Sequence, residues 1–149
     1  MVCRWAQHLG ARVIGTVGTE AKAELARANG CDHPIRYQSE DFVQRIREIT
    51  DGRGVDVVYD SVGQATFMQS LDCLRAMGML VSFGQASGPV GPIDPGLLAA
   101  KGSLFLTRPS LMTYTAERRD LLAHAADLFE VVQQGAVRVD IRQTYPLAE

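Results

Sequence analysis

Gly54-Val55-Asp56-Val57-Val58-Tyr59-Asp60-Ser61-Val62-Gly63 is the stretch on which the fold turns. Three of the five residues from Val55 to Tyr59 are β-branched valines, and turn residues close the run at both ends. A short apolar run so enclosed suits a buried strand of a parallel sheet. Helical spacing flanks it. Upstream, Phe42, Val43, Ile46 and Ile49 share a face, behind a start at Ser39 whose Glu40 and Asp41 favour the positive end of a helix dipole. Downstream, Phe67, Leu71 and Leu74 share another.

Working outward, the same alternation repeats. Met1 to Gly10 reads as the tail of a helix. Ala11 to Val17 is β-rich. Thr19 suits the cap of a helix from about Glu20 to Asn29, and Gly30 its left-handed end. His33 to Tyr37 is extended, with Pro34 pointing to a strand start or an edge. Gly78 precedes a strand from Met79 to Phe83. The loop from Gly84 to Pro95 is long for a simple connection, which suggests a functional or mobile segment. Ser103 to Thr107 is a further strand. Glu117 to Gln134 is the longest helix, striped by Leu121, Leu122, Ala125, Leu128, Phe129 and Val132, and Gly135 ends it. Strands alternating with helices predict an α/β fold, a doubly wound parallel (Rossmann-like) sheet covered on both faces.

In such domains a Gly-rich phosphate turn joins the first strand to the first helix. Here the chain begins just after that place, so residues 1–149 read as a partial dinucleotide domain lacking its first, central strand. Its neighbours would face a gap of roughly 10 Å, two sheet spacings. Unpaired backbone there needs partners. The sheet closes up, another chain supplies a strand, or part of this chain rearranges.

Composition narrows the function. The 149 residues are 46% apolar and 21% charged, with a net charge of -2. This suits one compact domain and disfavours nucleic acid or anionic membrane as partners. No apolar run approaches the roughly 20 residues of a membrane span, and no signal peptide is visible. Cys3, Cys31 and Cys73 form no Cys-x-x-Cys pair, and His8, His33 and His124 show no ligand spacing. Neither a disulfide framework nor a metal site is implied, and a reducing cytoplasm is the expected location.

Ligands of doubly wound sheets gather at the carboxyl ends of strands. The first such turn is Gly15-Thr16-Val17-Gly18-Thr19-Glu20-Ala21-Lys22. An NAD-selective domain usually carries an acid where Val17 stands, to bond the ribose 2′-hydroxyl. Its absence, a helix N-terminus and Lys22 one turn in would welcome a 2′-phosphate, which favours NADP(H). Thr19 as a mere cap and Lys22 as a solvated side chain is the plainer alternative. Ser61, in the second turn, either lets a cofactor ring or ribose approach or caps a helix. Asp60 reads as a cap or polar packing group, with no carboxylate or His nearby in sequence to make it a catalytic acid. The third turn, Ser82 to Gly88, can pass backbone close to a ring. Tyr37, Tyr59, Tyr114 and Tyr145 read as packing residues before acids or stacking groups.

These strings together carry a family resemblance. Gly15 to Thr19 with Lys22, Asp56 to Gly63, Ser70 to Leu74, Val81 to Gly84, Thr107-Arg108-Pro109-Ser110-Leu111 and the closing Tyr145-Pro146-Leu147 resemble the zinc-independent NADPH:quinone oxidoreductase (zeta-crystallin-like) branch of the medium-chain dehydrogenase/reductase superfamily. The resemblance implies that Gly18, Lys22 and Tyr37 hold the 2′-phosphate of NADP(H) and that Ser61 lines the ribose region. It implies that the turn containing Phe83, Gly84, Ser87 and Gly88, and the segment Pro109, Ser110, Leu111, approach the nicotinamide. Hydride would pass to a quinone or enone, in a cleft against a separate catalytic domain of about 120 preceding residues. Homodimers would form edge to edge through Ser103 to Thr107. The catalytic domain, the pyrophosphate turn and the return beyond Glu149 are expected to be missing, no acid-base catalyst is assigned, and the isolated chain is expected to be inactive or nearly so. Two other readings stand beside this one. One is a non-catalytic assembly module pairing through sheet edges; the other is an enoyl-reductase module of a larger synthase. A methyltransferase-like domain is disfavoured by Val17.

Overall fold

A computed structural model describes residues 1–141 and 143–147; the expected loss beyond Glu149 lies outside the described residues. In chain order the elements are α1 (Val2–His8), β1 (Ile14–Val17), α2 (Glu20–Ala28), β2 (His33–Arg36), α3 (Phe42–Ile49), β3 (Val55–Asp60), α4 (Phe67–Asp72), β4 (Leu74–Ser82), α5 (Gly96–Ala100), β5 (Phe105–Thr107), α6 (Leu111–Tyr114) and α7 (Arg118–Gln133). They form two compact units. The first holds residues up to Arg36 and from Arg118 onward, the second Tyr37 to Glu117.

In the first unit β1 and β2 pair in parallel, Ile14 opposite His33 and Val17 opposite Arg36. The Asp32 carboxylate accepts from Val13 N at 2.7 Å, and Val13 O accepts from the backbone N–H of Asp32 and His33. Pro34 sits on β2, an edge strand, where its missing donor costs nothing. Ala23, Cys31, Ile35, Val131 and Val137 are buried. The stripe expected on α7 is half-buried at best: Leu121, Leu122, Phe129 and Val132 are exposed, and Val131 is the buried position.

In the second unit β3, β4 and β5 form a parallel sheet in that order. Phe67, Leu71, Leu74, Leu80 and Leu104 make its core, with Val58, Ile93, Leu97 and Leu98 packed against it. Among the described residues this core lies on one face of the sheet. Residues of α4 and α5 pack on the Leu80 side, and the alternate positions Val57, Tyr59, Met79 and Phe105 are exposed. The strand from Val55 is therefore real and parallel but only half buried, because period-two alternation sends Val57 and Tyr59 away from the core.

Three boundaries differ from the sequence pattern for local reasons. Leu74 belongs to β4, not to a helix, because Val55 N donates to Cys73 O and Leu74 pairs with Val55. Asp41, not Ser39, caps α3, its Oδ1 accepting from Val43 and Gln44 N. Strand β5 starts at Phe105 because Ser103 has a φ of 57°, outside extended backbone. Within β4, pairing jumps from Leu74 opposite Val55 to Met79 opposite Val57, and Met77 takes a left-handed turn in between.

The two sheets reproduce the strand orders expected on either side of a central strand. Among the described residues, nothing pairs with β1 opposite β2 or with β3 opposite β4.

Candidate functional site

At the carboxyl end of the three-stranded sheet, the turns after β3, β4 and β5 are laced together. Asp60 ends β3 and is 5% exposed. Its Oδ1 accepts from Val62 N (2.7 Å) and Gly63 N (3.0 Å), and its Oδ2 from Thr66 Oγ1 (2.8 Å) and Ser70 Oγ (2.7 Å). Burial opposes the charge, but these four donors prevail and hold the carboxyl below its ordinary range. The Asp60 carbonyl accepts from Phe83 N at 2.9 Å and Gly84 N at 3.3 Å.

The lacing continues outward. Ala86 N donates to Ser61 O, Ser87 N to Val62 O, and Gln64 N to Gly88 O. Ser87 Oγ donates to Val62 O at 2.8 Å and accepts from Ala65 N at 3.0 Å. A Cβ on Gly84 would lie 2.4 Å from Ser61 O, so only glycine allows this approach. From β5, Arg108 Nη1 donates to Ser82 O (2.9 Å) and Gly84 O (3.0 Å). Under the loop lies a cavity of about 260 Å³ lined by Phe67, Ser82, Gln85, Val90, Leu106 and Arg108, among others.

Of the expected contact residues, Ser61, Phe83, Gly84, Ser87, Gly88, Pro109, Ser110 and Leu111 all fall in this unit, at or after these strand ends. Ser61, Phe83, Ser110 and Leu111 are exposed; Gly84, Gly88 and Pro109 are half-buried. Ser87 and Gly88 are occupied in joining the turns. Phe83 stands edge-on to Tyr59, ring centroids 6.3 Å apart. Tyr37 is an exposed residue opening this unit.

Gly18 and Lys22 belong to the first unit. Thr19 caps α2, its Oγ1 accepting from Lys22 N at 3.3 Å. Glu20, the acid of this turn, faces Arg27 and Arg36, each at 3.3 Å. Among the described residues Lys22 has no ion-pair partner within 4.0 Å. The result is a helix N-terminus with one acid already matched by two guanidinium groups and a lysine left over, a setting suited to an added anion.

Sequence reasoning assigns these four contributors too little. Asp60 reads only as a cap or packing group, Ser70 and Arg108 enter only within the strings that carry the resemblance, and Thr66 is not singled out. A signal was available: hydroxyls at positions 66 and 70, one turn apart, follow a strand that ends in a carboxylate. The helix cap considered for Ser61 is not made; Thr66 stands at that position. Burial pushes the Cys73 thiol up to about 12 and raises that of Cys31. Among the described residues no group of three or more His, Cys, Asp or Glu side chains is placed to hold a metal ion, and no helix is long and apolar enough to cross a membrane.

Comparison with known proteins agrees with this architecture. Residues 1–129 match the zinc-binding dehydrogenase family model. A 2-haloacrylate reductase of a Burkholderia species is 50% identical over 97% of this chain and 44% of its own length. Quinone oxidoreductase 1 of Escherichia coli is 47% identical over 100% of this chain and 46% of its own. The crystal structure of the Escherichia coli quinone oxidoreductase complexed with NADPH superposes with a TM-score of 0.89 at 48% identity, over 93% of this chain and 43% of that one. A mycobacterial protein complexed with NADPH reaches 0.94 at 46% identity, over 99% and 46%. The chain thus spans somewhat less than half the length of these relatives.

Proposed function

The chain belongs to the zinc-binding dehydrogenase family, in the quinone oxidoreductase branch of the medium-chain dehydrogenase/reductase superfamily, and on that premise we propose that residues 1–149 form the NADP(H)-binding portion of a quinone or enone reductase. The observation that carries this reading is the turn after β1. Val17-Gly18 offers no carboxylate to a ribose 2′-hydroxyl, Glu20 is held by Arg27 and Arg36, and among the described residues Lys22 has no acidic partner within 4.0 Å. A 2′-phosphate fits that charge pattern, with Gly18 admitting it closely and Lys22 pairing with it. The family resemblance adds Tyr37, the first residue of the second unit.

At the other end, Ser61, Phe83, Gly84, Pro109, Ser110 and Leu111 would frame the ribose and nicotinamide. Bound NADPH supplies the hydride for the acceptor; the protein binds, orients and excludes water. No side chain is cast as acid or base, and zinc is not required by this scheme. The parent enzyme's acceptor would be a quinone or a related electron-poor alkene, in the cytoplasm. Ser87 and Gly88 act by fixing the loop that carries Phe83 and Gly84.

Calorimetry on the 149-residue chain tests this. The sequence holds no Gly-x-Gly-x-x-Gly turn for the pyrophosphate, so NADPH is expected to bind more weakly than micromolar and quinone turnover to be absent. Preference should survive at the 2′ position: 2′,5′-ADP should bind about tenfold or more tighter than 5′-ADP, the worth of one charge-assisted contact. Equal binding would overturn the reading.

A second reading, pairing of copies through sheet edges, draws on the edge of β5, unpaired among the described residues, and on the exposed Phe105 within it. It agrees with a homodimer formed through Ser103 to Thr107. Light scattering at high concentration decides: a strict monomer removes it.

A further inference from the structure

We propose that Asp60 is the positioning residue of the nicotinamide-facing turns, fixing Ser61 and the Phe83–Gly84 backbone at one spacing. The inference rests on the reading above that these turns approach the cofactor, and deepens it.

The geometry is specific to an aspartate. Both carboxylate oxygens are used twice, by two backbone N–H groups of the following turn and by the hydroxyls of Thr66 and Ser70 at the start of α4. Among the described residues no cation pairs with it, so its charge is held entirely by neutral donors, an arrangement that fails if the donors move apart. A glutamate would be one methylene too long. The same residue's carbonyl takes Phe83 N and Gly84 N. Side chain and main chain of one residue thus fasten two different turns. Gly84 backs onto Ser61 too tightly for either to shift alone. Asparagine can keep the pattern, since its Oδ1 accepts from Val62 and Gly63 while both hydroxyls turn to accept from Nδ2.

Amide spectra and hydrogen exchange on the full 149-residue chain test the proposal. Asp60→Ala should speed exchange at Val62, Gly63, Phe83 and Gly84 by about tenfold or more, as for loss of a buried hydrogen-bonding group, and leave β1 and β2 unchanged. Asp60→Asn should restore most of that protection. With probes, Asp60→Ala should abolish shifts at Ser61 and Gly84 on adding nicotinamide mononucleotide, while 2′,5′-ADP binding stays as in the wild type. Exchange at Phe83 and Gly84 within about twofold of wild type in Asp60→Ala, well under one hydrogen bond's worth, would overturn it. If wild type ignores nicotinamide mononucleotide, the cofactor reading fails and the exchange data still judge Asp60. Should Asp60→Ala not fold, Thr66→Val and Ser70→Ala each remove one donor. Graded loss of protection at Phe83 and Gly84 supports the proposal, and no change there refutes it.

Discussion

The two sheets of this chain are built to different standards. The three-stranded sheet has a contiguous core of Phe67, Leu71, Leu74, Leu80 and Leu104 and a buried carboxylate with every oxygen satisfied. The unit of the two-stranded sheet buries Ala23, Cys31, Ile35, Val131 and Val137, none of them aromatic, and has a long helix whose apolar residues are mostly exposed. Two strands seldom hold themselves together, whereas three with an apolar face do. The difference teaches that the proposed cofactor ends are held unequally: a rigid frame for the nicotinamide and a looser one for the 2′-phosphate, where a lysine and a helix end act largely through charge.

The comparison breaks most readily at the core. Leu80→Ala, at a fully buried position, should cost about 2–5 kcal/mol in chemical denaturation, with β3 to β5 amides losing protection together. If β1 and β2 amides prove the better protected in wild type, the contrast itself fails. Gly84→Ala comes next, at about 1–3 kcal/mol for overpacking against backbone, read as a lower denaturation midpoint with an unchanged slope. Lys22→Ala should weaken 2′,5′-ADP about tenfold or more, one charged contact, without moving the denaturation midpoint; a midpoint shift instead would recast Lys22 as structural.

A pH effect sharpens the contrast further. Asp60 is held below the ordinary carboxylate value in the folded chain. Its stabilising contribution is therefore whole above that ordinary value and lost as pH falls through the lower, folded one. Acid unfolding monitored at β3–β5 amides should show this limb, and Asp60→Asn should remove it. The smallest effect is chemical. Cys73, buried and pushed up to about 12, and Cys31, also raised, should resist iodoacetamide at neutral pH, leaving half-buried Cys3 to react first in peptide mapping.

Much of the architecture was legible in the sequence because it is written in period and punctuation. Val55 to Tyr59 stood out between turn residues, and Thr19 named the start of α2. The two strand blocks fit the gap expected in the sheet, for which the sequence alone leaves three ways of closing. What escaped was settled by partners distant along the chain. Leu74 is drawn from helical spacing into β4 by a ladder to Val55. Exposure of Val57 and Tyr59 depends on which helices pack where. Asp60 looked like a cap because its second pair of donors lies six and ten residues away, and the links of Arg108 span β4 and β5. The charge pattern around Gly18 and Lys22 was readable, but the neutralisation of Glu20 by Arg36 needed the parallel pairing of β1 with β2.

The lacing between residues 60–65 and 83–88 also limits how this part of the molecule can diversify. Every position from Gln85 to Gly88 gives or takes a backbone bond across the seam or within it, so its length is fixed. Gly91, with open space around it, begins a stretch without that obligation. Insertions or deletions would find room past Pro89, and none between Gln85 and Gly88.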